Sequence, residues 1–114
     1  MSVPGVLLAN SYWRRLRGML GRRPLPPGLL LVPGGSVHGM GMTASLEVAV
    51  LGPAHPGADR VLGPHRVLKT AVLRPMGLVG SAPGARSVLE APVGSFERWG
   101  VHDGGTLAFV LEPS

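Results

Sequence analysis

The 114-residue chain contains no cysteine. That absence excludes disulfides, thiolate metal sites and a cysteine nucleophile together, and it fits a reducing compartment. Lysine occurs once, at Lys69, and only six residues are acidic, against eleven basic ones, for a net charge of +5. Beside heavy use of Gly, Ala, Pro, Val and Leu, an almost purely arginine basicity matches the codon usage of a GC-rich genome. Part of the charge is therefore read as compositional rather than as a signature of an acidic partner. Aromatic residues are 4% of the chain, which leaves little stacking surface for nucleic acid. No segment approaches the ~20 apolar residues of a membrane helix. The opening MSVPGVLLAN lacks both a basic n-region and an apolar stretch long enough for an export signal. The expectation is a cytoplasmic protein with no membrane span.

What is present is apolar and heavily punctuated. Hydrophobic residues are 45% and charged residues 15%, enough to offset the ordering entropy, while 18 Gly and 12 Pro divide the chain into short runs. The chain reads as one domain, residues 1–114, without internal repeats. Val6–Ala9 reads as a first strand. Asn10 or Ser11 then caps a short amphipathic helix, Ser11–Leu20, with Tyr12, Leu16, Met19 and Leu20 on one face and Arg14, Arg15 and Arg17 around the rest. Gly21 and the prolines at 24, 26 and 27 end it.

Strand texture follows. Leu29–Val32 is apolar without alternation, as in a strand covered on both faces. Ser36–Met42 is extended. In Ala44–Leu51, Leu46, Val48 and Val50 face one way and Glu47, Ala49 and Leu51 the other. Gly52–Gly57 reads as a hairpin loop, and Arg60–Leu62 and Arg66–Leu73 as strands broken at Gly63-Pro64, with His55 and His65 as loop-borne bystanders. Ser87–Ala91 is a further strand, Ser95 caps a helical turn Phe96–Trp99 that stops at Gly100, and the Asp103-Gly104-Gly105 turn leads into a last strand, Thr106–Leu111. The sum is an α+β, mostly β fold: a small rolled or barrel-like sheet, antiparallel or mixed, with two short helices.

Several residues in this order resemble the DUF192 family of small bacterial and archaeal proteins, which has no assigned activity. Arg15-Leu16-Arg17-Gly18-Met19-Leu20-Gly21-Arg22 is similar to its R-x-x-G-L-M-x-R opening. Gly28–Val32, Ser36-Val37-His38 and Met42 follow, then Leu46-Glu47-Val48, Pro75, Val88-Leu89-Glu90, Gly94, Gly100 and Gly104. The likeness spans about Ala9 to Phe109. Glu47 stands in place of the family's usual Asp, Gly105 in place of an Asp, and Gly39 in place of a Thr or Met. The resemblance implies a fold and a site region, not a reaction.

Four constellations bear on chemistry. His38, Met40 and Met42 share one face of an extended segment, ~7 Å apart at each step, a soft donor set suited to Cu(I); against it, methionines commonly fill irregular core gaps. The basic group Arg14, Arg15, Arg17, Arg22 and Arg23, beside Tyr12 and Trp13, suits phosphate or nucleic-acid contact, but also a solvated helix face. His38, Glu47, Glu90 and His102 supply acid–base groups, with Ser36 near His38, yet no nucleophile elbow or metal-protease motif joins them. Arg15 stands near the docking face of its helix, and Glu90 lies between Leu89 and Ala91 in a strand, so an Arg15–Glu90 pair is expected to fix helix to sheet.

These readings combine into a non-enzymatic binding or accessory module. Its shallow site lies near Arg15, His38, Met42, Glu47 and Glu90, with no resident cofactor and an unidentified small molecule or protein as partner. The alternatives are a small enzyme using the same polar groups, or a nucleic-acid binder using the arginine helix.

Overall fold

The structure is a computed structural model that describes residues 2–9, 28–32, 37–38 and 44–111. Eight strands occur among them: β1 (Ser2–Ala9), β2 (Gly28–Leu31), β3 (Val37–His38), β4 (Leu46–Pro53), β5 (His65–Leu73), β6 (Leu78–Val79), β7 (Ser87–Pro92) and β8 (Thr106–Leu111), with one short helix, α1 (Ser95–Trp99). The fold is mostly β, as the short runs and Gly/Pro turns imply. The expected first helix, Ser11–Leu20, lies outside the described residues.

Strands β1-β2-β7-β4-β5-β8 close into a barrel, and β3 pairs with β6 as a separate ribbon. Closure removes the unpaired edges that an open sheet would present. The sheet is mixed: β1 runs parallel to both β2 and β8, and the remaining pairs are antiparallel. The alternation expected along β4 is realised. Leu46, Val48 and Val50 join one buried cluster, while Ala49 and Leu51 join another.

The second cluster is the barrel interior. It draws Leu30, Leu51, Val67, Leu89, Leu107 and Phe109 from five different strands, which can meet only inside. The first lies on the outer wall, where Val79, Ala82 and Ala85 from the β5–β7 connection cover Leu29, Val48 and Val88. The unalternating apolar run of β2 follows from this, because Leu29 faces outward and Leu30 inward and both are fully buried. Phe96 of α1, with Trp99, packs onto the interior cluster at one end, and Val61 also packs onto it.

Some expected boundaries are corrected. Arg60–Leu62 is not a strand, because the Asp59 carboxylate draws in the amides of Val61 and Leu62 at 2.8 and 2.7 Å and holds the segment as a turn. The expected Gly52–Gly57 loop starts later, since β4 runs on to Pro53 opposite His65. Ser95 does not cap α1. Gly94 is the N-cap residue, Ser95 is buried in the first turn, and Gly100 ends the helix in the left-handed region as expected. Of the expected Ser36–Met42 strand, the described part is β3.

Candidate functional site

Arg15, Met40 and Met42 lie outside the described residues, and with them the arginine group, the Cu(I) set His38, Met40 and Met42, and the expected Arg15–Glu90 contact. His38 is placed by its backbone, in register with Leu78 of β6. Among the described residues, no three His, Cys, Asp or Glu side chains gather into a metal site.

Glu47 and Glu90 are placed in detail, and they do not share a face. Glu47 pairs in register with Ala91, a residue of the interior cluster; Glu90 pairs with Val48, a residue of the outer-wall cluster. Cross-strand partners project to the same side of a sheet, so the two carboxylates point to opposite sides of the β4–β7 wall. Glu90 is buried and is not without an interaction of its own. Glu47 is half-buried at the end of the barrel that α1 covers, and its Oε1 accepts a hydrogen bond from the Phe96 amide at 3.1 Å. That amide is one of the donors a helix start leaves unpaired, so Glu47 caps α1 from a distant strand.

The second register partner of Glu47 is Val72. Val72 is 51% exposed, and Met76 and Leu78, just beyond it, are 72% and 74% exposed. Arg74 to Gly77 forms a tight turn closed by the Gly77 amide on the Arg74 carbonyl at 2.8 Å. Met76 occupies its third position with φ +61°, where a side chain is strained and glycine is usual. Val93, 58% exposed, follows β7 beside the same barrel end. Val72, Met76, Leu78 and Val93 are thus exposed apolar side chains in or just beyond β5, β6 and β7.

At the other end of β5 is a buried polar group around His65, a residue expected to be a loop-borne bystander. His65 is not in a loop. It is the first residue of β5, fully buried, with its ring 5.2 Å from that of Phe109. Its Nε2 lies 2.9 Å from the Val61 carbonyl oxygen, which can only accept, so Nε2 carries the proton and Nδ1 is a bare acceptor. Burial pushes the imidazole below the ordinary histidine range, with the Val61 carbonyl opposing that shift. Arg86 donates to the carbonyls of Ala58 and Asp59 at 3.2 and 3.1 Å. Asp59 is held below the usual carboxylate range by the amides of Leu62 and Val61. Among the described residues, His65 Nδ1, Arg86 Nε and Ser87 Oγ are buried without a hydrogen-bond partner. The alternation His65, Val67 at the head of β5 was the one local signal for the buried histidine.

No family model matches the chain, and no curated protein is significantly similar to it. Solved structures share its fold. A protein of unknown function from Novosphingobium aromaticivorans is 21% identical, with a TM-score of 0.65 over 87% of this chain and 70% of its own. A Sinorhizobium meliloti protein, described as a candidate transcription regulator, is 23% identical, with a TM-score of 0.61 over 87% of this chain and 76% of its own. The likeness establishes a shared architecture. No helix among the described residues is long and apolar enough to cross a membrane.

Proposed function

We propose that the chain is a DUF192-like, non-enzymatic binding or accessory module whose contact surface is the apolar rim beside Glu47 and the β3–β6 ribbon. One observation carries this reading. Two described residues of the expected site, Glu47 and His38, have as register partners the exposed apolar residues Val72 and Leu78. Exposed apolar groups clustered beside a few polar ones are the usual composition of a binding surface. The division of Glu47 and Glu90 between two faces weighs against the enzyme alternative, which needs both carboxylates at one reacting centre.

The reading is tested by amide-resolved NMR titration with small aliphatic alcohols as probes. Shift changes concentrated on Glu47, Val72 and Met76–Val79 are expected. Changes scattered over the surface contradict it. The second reading, nucleic-acid binding, is favoured by the exposed Arg60 and Arg66 and the charge of +5. Electrophoretic shift across a salt series separates it, because phosphate contacts weaken steeply with salt.

A further inference from the structure

We propose that the 58–64 turn is a proton-operated latch on the barrel, held closed by the neutral ring of His65. The turn is tied down from three directions. The His65 Nε2–H donates to the Val61 carbonyl, the Arg86 guanidinium donates to the Ala58 and Asp59 carbonyls, and the Phe109 amide of β8 donates to the Leu62 carbonyl at 3.0 Å. Within the turn, the Gly63 amide donates to the Asp59 carbonyl at 3.0 Å. Val61 packs from the turn onto the interior cluster.

A proton on Nδ1 leaves the bond to Val61 intact but changes everything else about the site. It creates a buried charge and a buried N–H that has no acceptor among the described residues. The described charged groups that face the ring are Arg86, from the residue preceding β7, and Asp59, from the turn itself. Arg86 repels the imidazolium. Asp59 attracts it, but it is exposed and one of its oxygens already accepts two amides. From β8 the ring packs against the apolar Phe109. The remedy is for the ring to reach water, which releases Val61 and with it the turn.

The sign is fixed by linkage. The closed state binds this proton less readily than the open one, so closure is complete above about pH 6.5. It is lost as pH falls through the lowered value of the closed state. Asp59 stays ionised through that window. Opening exposes Phe109, against whose ring His65 packs, and the part of the interior cluster that Val61 covers.

Hydrogen exchange by NMR between pH 7.5 and 4.5 tests the latch. Corrected for intrinsic rates, protection of the Phe109 and Gly63 amides is expected to fall by about tenfold or more with acid, while that of Leu89 at the barrel centre holds. His65→Gln keeps a donor for Val61 but cannot titrate, so its Phe109 and Gly63 protection is expected to stay level. If that variant does not fold, the wild-type ring shifts decide the matter. Protection must begin to fall near pH 6.5 and level off near the pH at which the His65 ring shifts titrate. Protection that is level in the wild type, that falls equally in His65→Gln, or that levels off at a pH away from the ring titration overturns the proposal.

Discussion

Glu47 and Glu90 stand one register step apart on adjacent strands and face opposite sides of the barrel wall, Glu47 with Ala91 and Glu90 with Val48. Each carboxylate therefore has a separate task. Glu47 holds the start of α1 through the Phe96 amide. Glu90 is buried among the outer-wall side chains and has an interaction of its own there.

The capping role gives a graded expectation for Glu47. Glu47→Ala removes the acceptor and should cost about 1 kcal/mol, the usual value of a lost helix cap, whereas Glu47→Gln retains an oxygen and should cost less. Urea denaturation of the two variants checks this. Equal losses would assign the effect to charge rather than to the hydrogen bond.

Gly63 and Gly57 offer a matched pair. Both have positive φ, +92° and +84°, but a Cβ at Gly63 would meet the His65 backbone at 2.7 Å and its ring at 2.8 Å, while one at Gly57 meets nothing within 4 Å. Gly57→Ala should cost roughly 1–2 kcal/mol from backbone conformation alone. Gly63→Ala should cost clearly more, because backbone atoms must also move. Thermal or chemical denaturation that ranks the two alike would contradict this packing of the turn.

Met76 sits where glycine is the unstrained choice. Met76→Gly should stabilise the protein by about 1 kcal/mol, since the side chain is largely exposed and little packing is lost. The same variant should weaken probe binding at the rim. A loss of stability would mean that the methionine packs in solution more than its exposure allows.

How much of this was legible depends on how local each cause is. The two faces of β4, and Glu90 set against Leu89 and Ala91 in β7, follow from period-two geometry and needed no tertiary information. The segment Arg60–Leu62 reads as a strand because Val61 and Leu62 suit one; the deciding event is a side-chain acceptor, Asp59, competing for their amides. The local pattern points to Ser95 as the cap of α1, yet the acceptor comes from Glu47, which only the closed barrel brings near. The burial of His65 likewise rests on Phe109, a contact across the β5–β8 seam. The division of Glu47 from Glu90 is a matter of register, which neither strand encodes alone.

The central claim, that the rim beside Glu47 is the contact surface, is tested most directly by probe affinity in three exposed-site variants. Val72→Asp and Leu78→Asp place a charge on the rim, and Leu62→Asp places one on the 58–64 turn, at a residue also substantially exposed. Aliphatic-alcohol binding followed by NMR should weaken by about tenfold in the two rim variants, as expected for lost apolar contact, and be unchanged in Leu62→Asp. Equal binding by all three, or a loss confined to Leu62→Asp, would contradict the assignment.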